Sequence, residues 1–135
     1  MYKKISEIEG IGPVLTEKLA LANIKTVNDL LVKGSSKAGR KTIAEESGID
    51  EGKILDFVNM ADLFRIKGVG SQFAELLKAS GVDTIKELRN RNVENLHEKL
   101  VEVQALKKIT RTVPGKSQVE KFVNQAKELT PMINY

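Results

Sequence analysis

Apolar residues fall at helical spacing along most of the chain, in short runs broken by glycine, asparagine and small polar clusters. Ile5 and Ile8 suggest a first helical turn or two over 5–9. Val14, Leu15, Leu19 and Ala22 share one face of a helix predicted over 13–22. Pro13 suits its first position, where the missing N–H costs least. Asn23 fits a left-handed cap. Thr26 then caps a short helix bearing Val27, Leu30 and Leu31. A helix from about 38 to 47 follows, then one over 51–63 with Ile54, Phe57, Val58 and Ala61 inward. The rest of the chain repeats this succession. A helix over 71–80 turns Phe73, Ala74, Leu76 and Leu77 inward, Gly81 ends it, and Thr84 caps 84–89. Leu96, Leu100 and Val103 mark a helix from 93 to about 103. Val119, Phe122, Val123 and Ala126 mark a last one over 118–129, with Ser117 as its cap. The expected fold class is all-α.

The repetition extends to single residues. Ile8-Glu9-Gly10-Ile11-Gly12 returns as Ile66-Lys67-Gly68-Val69-Gly70. At that constant offset Leu15 meets Phe73, Leu19 meets Leu77, Ile24 meets Val82, Thr26 meets Thr84, and Leu30 meets Leu88. Such a register indicates an internal duplication, with a first unit over 1–64 and a second over 65–135. Leu63-Phe64-Arg65-Ile66 joins them without a flexible linker. Phe57 and Phe122 match in the closing helices. The second unit is longer, and its extra residues fall in the poorly patterned, basic stretch 104–116. There Lys107, Lys108, Arg111 and Lys116 surround Val113-Pro114-Gly115.

Two glycines around one apolar residue permit a tight turn with positive φ and close backbone approach. The apolar residue, Ile11 or Val69, anchors the turn in the core. The second glycine opens a helix whose unbonded N–H groups and positive dipole end suit an anion, most often a phosphate. The plainer account is that each glycine only turns the chain and caps a short helix.

Charge separates the two halves. Residues 65–135 carry 13 Lys/Arg against 8 Asp/Glu, a net +5, whereas residues 1–64 carry 9 against 10, a net −1. This points a polyanion at the second half. In the first half Glu45, Glu46, Asp50 and Glu51 cluster between the last two helices, and the 45–56 surface better fits a protein partner. Lys33 to Lys41 reads as a solvated, basic Gly/Ser-rich loop. With no Cys there is neither a disulfide framework nor thiolate chemistry. No apolar run reaches membrane-spanning length and no signal peptide is visible, so no membrane association is expected and a cytoplasmic location is.

The pattern Ile8-x-Gly-Ile-Gly-Pro-x-Leu-x-x-Lys-Leu-x-x-Ala-x-Ile-x-Thr-Val-x-x-Leu30 resembles the helix-hairpin-helix family. Ala44-Glu-Glu-Ser-Gly-Ile-Asp-Glu-Gly-Lys-Ile-Leu55 resembles the second hairpin of a paired helix-hairpin-helix domain, of the kind found at the N-terminus of RadA-type recombinases. The chain looks like two such domains in tandem, and is also similar to an uncharacterised bacterial family with that arrangement. The resemblance implies sequence-independent binding of duplex or single-stranded DNA, through hairpin amides to backbone phosphates. By position these are the amides of Gly68, Gly70, Ser71 and Gln72, with Lys67, Lys78, Lys107, Lys108, Arg111 and Lys116 as electrostatic support. Gly10, Gly12 and Val14 are their weaker counterparts in the first unit, where Glu9 stands for Lys67 and Pro13 removes an amide. The family also implies a monovalent cation, Na⁺ or K⁺, on the carbonyls of Phe64, Ile66 and Val69.

Catalysis has little foothold. Pro114-Gly115-Lys116-Ser117 ends like a phosphate-binding loop, but Thr110 occupies the position of its required first glycine and no strand precedes it. The single His97 stands among Glu94 and Glu98 on a helix. No nucleophile–base set or paired catalytic carboxylates stand out, so a non-enzyme is expected. Two classes of function remain: a DNA-binding module acting mainly through the second unit, and a protein-interaction scaffold in which the glycines are structural.

Overall fold

The computed structural model describes residues 2–135 and is all-helical, with one isolated backbone bridge between Lys4 and Thr26. The chain forms two compact units, Met1–Asp62 with Met132–Tyr135, and Leu63–Pro131. The last four residues thus belong with the first unit, not with the second as the sequence reading had it.

The first unit begins with a single 3₁₀ turn, Ile5–Glu7, shorter than the one or two turns expected over 5–9. Helices α1 (Pro13–Leu21), α2 (Val27–Lys33), α3 (Lys37–Ser47) and α4 (Glu51–Leu63) follow. The second unit contains α5 (Ser71–Ala79), α6 (Ile85–Leu88), α7 (Val93–Lys107) and α8 (Lys116–Glu128). In the first unit α1 and α2 pack on α3; in the second, α8 packs on α6 and α7, and α5 on α7. Of the inward residues read from the sequence, Leu19, Leu30, Ile54, Val58, Leu77, Leu96, Val119 and Val123 are buried, Leu15 and Phe73 are half-buried, and Val14, expected on the inner face of α1, is 65% exposed.

The ends of α1 and α5 share one solution. The Ile24 amide reaches the Leu19 carbonyl at 3.0 Å, and the Val82 amide reaches that of Leu77 at 2.9 Å. Between them Asn23 (φ 60°) and Gly81 (φ 90°) are left-handed, which redirects the chain and satisfies the last carbonyls. Thr26 and Thr84 then cap α2 and α6 by accepting from the amides three residues on. At Thr26 the cap is reciprocal, because the Asp29 carboxylate accepts from the Thr26 amide at 3.1 Å.

Three boundaries differ from the sequence reading. Helix α7 runs on to Lys107, since Gln104, Ala105, Leu106 and Lys107 are good helix formers with no breaker among them. Its last turn is largely exposed, so apolar spacing could not reveal it. Helix α8 starts at Lys116 with Gly115 as cap, so Ser117 lies inside the helix. The expected solvated loop 33–41 is a tight connection from α2 to α3. A Cβ on Gly39 would come within 2.0 Å of the Lys33 carbonyl oxygen, which explains the glycine there. Arg40, expected in solvent, is only 3% exposed. It donates to the carbonyls of Gly34 at 2.9 Å and Asn134 at 2.8 Å, and lies 5.9 Å from the centre of the Tyr135 ring. The Asn134 amide returns a bond to the Ser35 carbonyl at 2.7 Å, and the Tyr135 hydroxyl meets Asn59 at 3.0 Å. Arg40 therefore fastens residues 134–135 to the first unit.

Two outcomes are expected. Arg40→Ala leaves the Gly34 and Asn134 carbonyls without a charged donor and should cost about 2–3 kcal/mol in chemical denaturation, with faster hydrogen exchange at Asn134. The amides of Lys25 and Thr26 hold the Asp29 carboxyl below its ordinary pKa of 3.8. Its stabilisation is therefore complete above that value and lost as pH falls below it. An acid titration of stability should show this loss in the wild type and not in Asp29→Ala, which forfeits about 1 kcal/mol at neutral pH.

Candidate functional site

Each unit builds the same turn between its opening segment and its first long helix. Gly10 and Gly68 have φ of +92° and +93°, a region that residues with a side chain rarely enter. A Cβ on Gly68 would also stand 3.2 Å from Phe122 Cε1, and one on Gly10 3.5 Å from Phe57 Cε1. The turns close through amides of Ile11 and Val69, which donate to the carbonyls of Ile8 and Ile66, each at 3.1 Å. Ile11 and Val69 are buried and hold the turn to the core.

The second glycines differ from the first. Gly12 and Gly70 cap α1 and α5 in extended backbone, with φ of −93° and −104°, and a Cβ on either would meet nothing within 4 Å. Neither packing nor backbone strain demands glycine there. The first intrahelical bond of α5 runs from the Ala74 amide to the Gly70 carbonyl at 2.9 Å. The amides of Gln72 and Phe73 precede it and have no acceptor within the helix. Gly70 and Ser71 are half-buried at this terminus and Gln72 is exposed.

The two termini present opposite chemistry. Pro13 and Val14 stand at the start of α1, and Val14 is 65% exposed. At the start of α5 the corresponding residues are Ser71 and Gln72. In the second unit the Lys67 backbone is gripped from both sides by Gln125 of α8, whose Oε1 accepts from the Lys67 amide at 3.0 Å while its Nε2 donates to the Lys67 carbonyl at 3.3 Å. The Lys67 side chain is exposed. Nothing in the apolar pattern marked Gln125, and its counterpart in α4 is the buried Met60.

The other predicted cations divide into three groups. Lys107, Lys108 and Arg111 are exposed together where α7 gives way to α8. Lys108 ends α7 in the left-handed region with φ 50°. Gln104, unnoticed in the sequence, holds this loop in shape. Its Oε1 accepts from the Thr110 amide at 2.9 Å, its Nε2 donates to the Thr110 carbonyl, and the Thr110 hydroxyl donates to the Thr112 carbonyl at 2.6 Å. Lys116 is paired with Glu94 at 2.6 Å, which lowers the Glu94 pKa and raises that of Lys116, so its charge is partly met within the protein. Lys78 lies in the last turn of α5, about 10 Å along the helix from Ser71 at 1.5 Å per residue, away from the amides it was expected to support. Of the carbonyls proposed for a cation, that of Ile66 already accepts from Val69.

Glu45, Glu46, Asp50, Glu51 and Asp56 are exposed on the first unit, as an acidic surface requires. Asp50 also has a local task, accepting from the amides of Gly52 and Lys53 at 3.0 and 3.3 Å at the start of α4. Phe57 and Phe122 are buried and unavailable for stacking on a base. Among the described residues, no group of three or more His, Cys, Asp or Glu side chains is placed to hold a metal ion, and no helix is long and apolar enough to cross a membrane.

This all-helical chain, with its repeated glycine turns, matches over residues 9–129 the family model described as Domain of unknown function (DUF4332). The chain belongs to that family. No curated protein and no solved structure matches it significantly.

The two glycines of the second turn should separate under mutation. Gly68→Ala meets both positive φ and Phe122 and should cost at least about 1 kcal/mol. Gly70→Ser places a good capping residue in open space and should leave stability within about 0.5 kcal/mol. Thermal denaturation of both variants checks this contrast.

Proposed function

We propose that the second unit is a sequence-independent DNA-binding module of the helix-hairpin-helix type, in which the amides at the start of α5 meet a backbone phosphate. One observation carries the reading. Gly70 is a glycine that the fold does not need, at a helix N-terminus flanked by the exposed Lys67. A bare α-carbon there lets a phosphate approach the Gln72 and Phe73 amides, and the helix dipole favours its charge. Lys107, Lys108 and Arg111 supply the longer-range attraction. A monovalent cation on the Phe64 and Val69 carbonyls is part of this reading, as is work beside DNA in the cytoplasm.

The first unit favours a second role, contact with a protein. Its helix α1 exposes Val14 and Leu21, at 65% and 69%, on one face, and its 45–56 surface is acidic. Both features discourage a phosphate and suit a basic, partly apolar partner surface.

Fluorescence anisotropy with short duplex and single-stranded DNA across a salt series tests the principal reading. Log K should fall linearly with log salt, by about 0.9 per phosphate neutralised on duplex. Lys107→Glu/Lys108→Glu/Arg111→Glu should abolish binding at physiological salt, and Gly70→Ser should weaken it without loss of stability. A folded wild type that binds no DNA at low salt would sink the reading.

A further inference from the structure

A groove of about 500 Å³ lies between the glycine turn of the second unit and the first half of α8. Lys67 comes from the glycine turn, Ser117 and Gln118 from the first turn of α8, and Lys121 from the next. Gly68 and the buried Phe122 also line it. No carboxylate lines the groove. Both lysines are exposed, and neither ammonium has a partner among the described residues. The groove exists because Gly68 has no side chain: a Cβ there would press on Phe122 and come within 4.0 Å of Gln118 Nε2. Gln125 holds the Lys67 backbone against α8, so the two lysines are presented by elements fixed to each other.

The first unit supplies an internal control. There Phe57 packs against Gly10 as Phe122 packs against Gly68. The match aligns Lys67 with Glu9 and Lys121 with Asp56. Both cations of the groove are thus replaced by anions on the same frame, and only Lys53, aligned with Gln118, offsets them.

We propose that this groove is a second phosphate site, holding a DNA phosphodiester next to the one at the α5 amides, with Lys67 and Lys121 as counter-charges and Gln118 and Ser117 as neutral donors. The proposal rests on the DNA-binding reading and adds α8 to it. Phosphodiester suits the groove better than a nucleobase, because its one aromatic ring is buried and offers no face for stacking.

The test compares wild type, Lys121→Asp and Lys127→Asp by DNA anisotropy across a salt series. Lys127 is exposed on α8 outside the groove and controls for net charge. Lys121→Asp should lower the salt slope by about 0.9 and weaken binding uniformly across sequences, while Lys127→Asp leaves the slope near wild type. Glu9→Lys/Asp56→Lys should raise the slope. Lys121→Gln gives the same readout without an added carboxylate, should Asp destabilise α8. A wild-type slope in Lys121→Asp and Lys121→Gln, or equal losses in Lys121→Asp and Lys127→Asp, overturns the groove but leaves DNA binding intact. A wild type that binds no DNA removes both.

Discussion

A phenylalanine ring from the closing helix, packed beneath a glycine of positive φ, sets the geometry of each unit. In the second unit Phe122 fills the space under Gly68 and meets Phe73 of α5 with ring centres 6.2 Å apart. The first turn of the unit and its last helix are thereby joined, although more than fifty residues separate them in the chain. Because the apolar contact occupies the inner side of the turn, the amides that open the next helix are left on the outer side. Water or an anion must satisfy them there. The exposure of these amides, on which the proposed phosphate contact rests, follows from a hydrophobic contact made behind them.

On this common frame the two units carry contrary surfaces. The buried positions change little: Leu19 for Leu77, Ile24 for Val82, Phe57 for Phe122. The exposed ones invert. Glu9 and Asp56 stand where the other unit has Lys67 and Lys121, and Pro13 and Val14 stand where it has Ser71 and Gln72. Surface substitutions of this kind seldom cost more than about 0.5 kcal/mol, so stability places little restraint on them. A duplicated scaffold can thus acquire a second binding character without refolding. The polar clamp from Gln125 to Lys67 belongs to the cationic unit, where Lys67 projects from a backbone held at both its amide and its carbonyl.

Helical periodicity located every long helix, and the paired residues that cap them were visible as types: Asn23, Thr26, Gly81 and Thr84 act as their chemistry suggests. The misreadings share a cause. Arg40 looks like a solvent residue because charge is its most visible property, yet it is buried, and its guanidinium donates to the nearby Gly34 carbonyl and to that of Asn134, far along the sequence. Gln104 and Gln125 are ordinary polar residues until folding brings a loop and a turn within reach of their amides. Tyr135 lay beyond any periodic pattern, and its place was decided by Arg40 and Asn59. The end of α7 left no apolar trace because Ala105, Leu106 and Lys107 are exposed.

The sequence by itself determined the helices, the duplicated turns and the sign of charge on each half, because these depend on local backbone preference, spacing and composition. Tertiary structure alone decided which glycine is demanded by packing and which is not. It also decided which lysines are already paired and which two face one groove. Those are properties of contacts between residues far apart in the chain, and such contacts exist only once Phe57 and Phe122 have closed their units.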